Sequence, residues 1–250
     1  MPNNHYDLAM QDFSGIAEKL VRAEENIRNL DSEIELFFEK SEYPVLPEND
    51  YDLLLKAIDY HKNLVVPTRF SVLAGEIIHH LRSCYDHVVW HFSVQSVRNI
   101  RKIEFPVFDQ TPTNHDQRKQ FAGKIEGIVD SNVRSLIEGF QPYNSPDPHN
   151  NELWIIHDFD IIDKHQELVI CAPTGTTVFP IEMEGVIEGY KREHPDLGPA
   201  QISRHFKQYG RTQPNISFRN FGRNEIEPIS QGLRKLFNST SDAMKKFEAL

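Results

Sequence analysis

The sequence predicts a mainly helical α+β fold, with long amphipathic helices forming a bundle and a small peripheral antiparallel sheet. Two observations carry this expectation. Apolar residues recur at three- and four-residue spacing over long stretches. The segments with strand character are short and scattered, too few to build a second core. Of the 250 residues, 39% are hydrophobic and 26% charged with both signs interspersed, enough for a packed core and too apolar for bulk disorder. With no internal repeat or low-complexity linker, a single domain over residues 1–250 is expected, with the polar stretch 189–214 as a mobile insertion.

From Asp12 to Lys40 the residues Phe13, Ile16, Leu20, Ile27, Leu30, Ile34 and Phe38 form one apolar stripe of a long helix, which Pro44 and Pro47 end. The run YDLLLKAIDY (51–60) reads as an edge strand. After Pro67 a helix is expected from Phe70 to Val97, its core stripe being Leu73, Ile77, Leu81, Cys84, Val88 and Phe92. KIEFPVF (102–108) reads as extended, 114–140 as weakly helical, and QPYNSPDPHNN (141–151) as a loop. ELWIIHDFDIIDKH (152–165) is a second strong helix, apolar at Trp154, Ile155, Phe159 and Ile162. LVICAPTGTTVFPIEM (168–183) suggests two strands around a Thr-Gly turn, ISFRNFG (216–222) a further strand, and 227–250 a final helix.

Composition narrows the function. The formal charge of −10, from 37 acidic and 27 basic residues, disfavours a long groove tracking a nucleic-acid backbone but leaves room for a local phosphate pocket. Two cysteines, Cys84 and Cys171, make a disulfide framework improbable. The N-terminal MPNNHYDLAMQDF has no secretory-signal pattern, and no apolar run approaches the roughly 18 residues of a membrane span, so a cytoplasmic protein without a membrane partner is expected.

The candidate chemistry lies in two histidine-rich helices. At about 100° per residue, Glu76, His80, Ser83, His87 and His91 share a stripe roughly 80° wide, flanked by His79, Asp86 and Trp90. A merely solvated face would carry Lys and Glu, which form helix more readily than His. Arg82 lies about 140° around from His87, so the two converge only if the helix bends or a partner closes over them. In the second helix His157, Asp160 and Lys164 share one side, with Asp163 and His165 further around. Antiparallel packing of the two helices would set His87 opposite His157, with Asp160 or Asp163 near a histidine or Arg82.

Three readings compete. In the first, the histidines are hydrogen-bonding or interface groups of a non-catalytic interaction protein. In the second, the i, i+4 pair His87 and His91, with His80 and His157, ligates a divalent metal in a hydrolase. The third needs no cofactor and starts from the string RSCYDH, in which Arg82 and His87 form an R-x4-H pattern. That pattern resembles the signature of the HEPN superfamily, which includes many ribonucleases of toxin and antiphage systems. The segment GEIIHHLRSCYDHVVWHF, the QPY loop and IHDFDIIDKH also resemble an uncharacterised bacterial family with LRSxxDHxxW and LHDFDxIDKH motifs, over most of residues 66–170. That family has no function to lend. The HEPN resemblance implies a metal-independent endoribonuclease acting on RNA as a homodimer. His87 would be its acid–base group, Arg82 would stabilise the charge developing on phosphate, and Asp86 would orient either. Glu76, His80, His91, His157, Asp160, Asp163 and Lys164 would support them.

Overall fold

The computed structural model describes residues 13–40, 64–93, 102–165, 170–178, 184–198, 205, 211–218 and 228–250. Helices dominate these residues. They are α1 (Ser14–Lys40), α2 (Thr68–Phe92), α3 (His115–Lys124), α4 (Ser131–Gly139), α5 (Glu152–His165), α6 (Glu184–Glu193) and α7 (Ile229–Glu248). One antiparallel pair of strands accompanies them, β1 (Ile170–Val178) with β2 (Arg211–Phe218). The described backbone groups into two compact units. One draws on the described residues within 1–29, 71–168 and 232–250, the other on those within 30–70 and 169–231.

The first unit is organised by α2, whose Leu73, Ile77, Leu81, Cys84 and Val88 are buried as their spacing requires. Cys84 is fully buried, and that burial pushes its thiol up to about 12, so it packs as a small apolar residue. On the other side of α2, Tyr85 meets Phe105 edge to face at 5.0 Å, and Phe105 meets Phe247 of α7 at 6.1 Å. The weakly helical stretch 114–140 resolves into two helices. Asn114 closes a capping box with Gln117 at the start of α3, and the Asp130 carboxylate caps α4. The 141–151 loop holds two single-turn 3-10 segments, each opened by a proline.

Residues 103–108 form neither helix nor strand. Their backbone groups are satisfied by side chains instead. Asp86 Oδ1 accepts from the Phe105 amide at 2.9 Å, and the Phe105 carbonyl accepts from Arg82 at 3.0 Å. Gln141 accepts from the Phe108 amide at 3.1 Å and donates to the Pro106 carbonyl at 2.9 Å.

In the second unit the Glu33 carboxylate accepts from the Arg69 guanidinium at 2.7 Å, and Phe37 meets Phe70 edge to face at 5.7 Å. The expected hairpin around Thr174–Gly175 is corrected here. Both residues lie mid-strand, Thr174 opposite Asn215 and Gly175 opposite Pro214, because the partner of β1 comes from 33 or more positions away rather than from the next turn. The 51–60 segment lies outside the described residues, as do positions 94–97 of the second predicted helix. Of 189–214, the first residues belong to α6 and the last to β2. No helix among the described residues is long and apolar enough to cross a membrane.

Candidate functional site

The stripe of α2 runs alongside α1, antiparallel to it, with Glu76 and His87 left exposed. Three contacts fix the register. Phe13 meets the His91 ring at 4.6 Å, Cys84 Sγ reaches the Ile16 carbonyl at 3.9 Å, and Asn26 donates to Glu76 at 3.0 Å. Between the second and third contacts, Lys19 comes near both His80 and His87. Burial, then Lys19, lower the pKa of each imidazole, with Glu76 opposing at His80 and Asp86 at His87.

Arg82 and Asp86 serve a different face. Arg82 is 3% exposed, donates to Asp86 Oδ1 at 2.7 Å and caps the Phe105 carbonyl. His87 is exposed. The expectation that Arg82 and His87 share a cleft is therefore not met by this chain alone. The helix keeps the roughly 140° between them. The histidine in the field of Arg82 is His157, whose charged neighbours are Arg82, Lys124, Glu104 and Asp160.

α5 does meet α2, through side chains that the sequence placed on its polar side. Asp160 is 3% exposed and accepts from His79 Nδ1 at 3.1 Å and from the Lys164 ammonium. The carboxylate cannot donate, so His79 carries its proton on Nδ1. One turn on, Asp163 lies over Gly75, where a Cβ would fall 2.2 Å from Asp163 Oδ1 and 2.7 Å from its Cγ. Burial, then Asp160, raise the pKa of Asp163. A mid-helix Gly→Ala change ordinarily gains about 0.5–1 kcal/mol. Here Gly75→Ala should destabilise the protein, whereas in an Asp163→Ala background it should stabilise it. Urea denaturation of the four variants reads the coupling, expected at about 1–2 kcal/mol.

His157 is the most perturbed histidine of α5. Burial, then the cations Arg82 and Lys124, hold it down at about 4, against Glu104 and Asp160. Its Nδ1 is buried without a hydrogen-bond partner among the described residues, as is that of His80. Lys124 forms an ion pair with Glu104 at 2.7 Å. Burial opposes the charge on Glu104, but that hydrogen bond and ion pair outweigh it and lower its pKa. Between about pH 6.5 and 4 the unfolded chain binds a proton at residue 157 that the folded chain refuses, so stability falls as pH is lowered through that window. His157→Gln should flatten the fall, which for wild type amounts to about 2 kcal/mol after allowance for solvent screening. Thermal unfolding at pH 7.5 and pH 4.5 checks it.

The four-histidine metal set is not assembled: His80, His87 and His91 lie along α1, and His157 lies beside Arg82. Among the described residues no group of three or more His, Cys, Asp or Glu could hold a metal ion. Sequence reasoning passed over Glu104, Lys124 and Gln141, whose partners Lys124, Glu104 and Phe108 lie 20 to 33 positions away and leave no periodic trace. No protein-family model matches the chain, and no curated protein or solved structure does either.

Proposed function

We propose that the chain is a metal-independent endoribonuclease acting as a homodimer, with His157 as its acid–base group in place of the His87 that the R-x4-H pattern points to. The observation that carries this reading is His157 itself, whose buried Nδ1 has no hydrogen-bond partner among the described residues and whose ring lies in the field of Arg82 and Lys124. A phosphate bound beside it would raise its pKa from about 4 toward the working pH, where the imidazole can take the proton of a ribose 2′-OH. The 2′ oxygen then bonds to phosphorus as the bond to the 5′ oxygen breaks, and the abstracted proton passes to that leaving oxygen. Lys124 and the field of Arg82 would stabilise the charge gathering on the phosphoryl oxygens. A net charge of −10 fits a local phosphate site better than an extended nucleic-acid groove.

One observation favours a second reading, a non-catalytic interaction protein. Arg82 is committed to Asp86 and the Phe105 carbonyl, as a structural arginine would be. Incubating purified protein with single-stranded RNA and chelator separates the two. Cleavage that survives chelator and drops at least about 100-fold in His157→Ala supports the ribonuclease, that being the low end of a general base's contribution. Loss in His87→Ala with His157→Ala still active would overturn the assignment of the base. An inert wild type would leave the interaction protein, and cleavage abolished by chelator would return the metal-dependent hydrolase. Sedimentation of the same sample tests the homodimer.

A further inference from the structure

We infer that the stacked rings of His149 and Trp154 form a ledge on which one unpaired nucleobase of a single-stranded RNA stacks, beside the scissile phosphate. The ledge rests on the ribonuclease reading only for what lies next to it, since base stacking is measurable without cleavage.

His149 stands in the second 3-10 turn, Pro148–Asn150, and Trp154 in the first turn of α5. Their rings lie 5.0 Å apart and within 24° of parallel, an offset stack. His149 Nε2 and Asp109 Oδ2 are 3.0 Å apart. The carboxylate can only accept, so Nε2 carries a proton and the bond fixes the ring plane. Two routes of contact lead from this ledge to the groups proposed for catalysis. On one, Trp154 meets the His157 ring edge-on at 6.2 Å. On the other, Asp109 follows Phe108, whose ring lies 5.6 Å from the Lys124 ammonium. A nucleotide whose base lies on the ledge thus has its sugar and phosphate toward both His157 and Lys124.

Folding alone does not call for this arrangement. The start of α5 is already capped by Asn151, whose Oδ1 accepts from the Leu153 and Trp154 amides at 3.0 and 3.4 Å. The His149 side chain is 67% exposed, so its stack on Trp154 and its pair with Asp109 stabilise the fold little. A ring held in one plane yet left mostly in water suits a nucleobase, because every base offers a π-face whatever the sequence. The carboxylate of Asp109 at the same ring repels a phosphate, which separates a base position on the ledge from a phosphate position at Lys124. The base must be unpaired, since a duplex covers both of its faces.

Trp154 can report on its own ledge. The chain has two tryptophans, and Trp90→Phe leaves Trp154 as the single indole. A short single-stranded 2′-O-methyl RNA has no free 2′-OH to react, so its binding is read apart from cleavage. Added to the full-length Trp90→Phe protein at fixed pH and ionic strength, it should change the Trp154 emission saturably. The same backbone with abasic sugars should bind about tenfold more weakly or worse, within the range of one base–aromatic stack. His149→Ala should weaken binding by a similar factor. His149→Phe, which keeps a stacking ring without the pair to Asp109, should recover most of it. Unchanged emission, an abasic strand bound as tightly, or equal affinity in wild type and His149→Ala would overturn the ledge, as would His149→Phe as weak as His149→Ala. The two readings fail separately. Stacking without cleavage of unmodified RNA keeps the ledge and removes the nuclease, whereas cleavage with no such stacking does the reverse.

Discussion

Asp86→Ala is expected to destabilise the first unit by about 3–5 kcal/mol, the cost of leaving a buried charge without its partner. Asp86 Oδ1 accepts at once from the Arg82 guanidinium at 2.7 Å and from the Phe105 amide at 2.9 Å. The Arg82 side chain is only 4% exposed, so the substitution strands a desolvated cation with a single neutral carbonyl partner. It also orphans the amide of Phe105, which is fully buried. Asp86→Asn keeps an acceptor for that amide and should lose about half as much. In the double variant Arg82→Met, Asp86→Ala both charges are gone, and the loss should fall well short of the sum of the single losses. Urea unfolding at neutral pH measures all four. A loss below about 1 kcal/mol in Asp86→Ala would mean that the clasp does not hold Arg82 as described.

Gln141 should rank close behind. It is 1% exposed and serves three backbone groups: it accepts from the Phe108 amide and donates to the carbonyls of Pro106 and Ile137. Gln141→Leu fills nearly the same volume and satisfies none of them, so about 3 kcal/mol is the expected loss, at about 1 kcal/mol for each group left unmatched. Gln141→Glu is the sharper test. A carboxylate can still accept from Phe108 but presents an acceptor to two carbonyls, so it should be at least as damaging as leucine. If glutamate is tolerated, the side chain acts by its shape and not by its hydrogen bonds. Chemical denaturation with matched m-values distinguishes these outcomes.

The long helices were legible because one periodic stripe decides both their existence and their buried face. Leu73 to Val88 in α2 and Ile16, Ile27, Leu30 and Ile34 in α1 are buried as spaced, Leu20 only half so, and α5 runs over Glu152–His165 as its pattern requires. The histidine stripe was legible as a stripe, but nothing local said that α1 runs alongside it, since the contacting residues lie 50 to 78 positions apart. Arg82 shows the same limit. Its i, i+4 pairing with Asp86 is local, yet what buries it is the Phe105 carbonyl 23 positions on. The Asp160–Lys164 pair could be read from spacing, whereas the His79 that shares its carboxylate is 81 positions away. Gly175 misled for the opposite reason: a local turn signal was overruled by a distant strand.

The segment 103–108, outside any helix or strand, carries a consequence for solubility. Unpaired amides and carbonyls of such a stretch, once uncovered, are groups to which another molecule can add a strand. In this protein side chains occupy them: Asp86 and Arg82 at Phe105, and Gln141 at Pro106 and Phe108. The sequence beneath is Ile103, Glu104, Phe105, Pro106, Val107, Phe108, apolar and β-prone apart from Glu104 and Pro106. Three polar residues of α2 and the 141 turn thus act as gatekeepers of a segment they do not belong to. Loosening them should bring self-association at concentrations where the folded population is still high, ahead of any global unfolding.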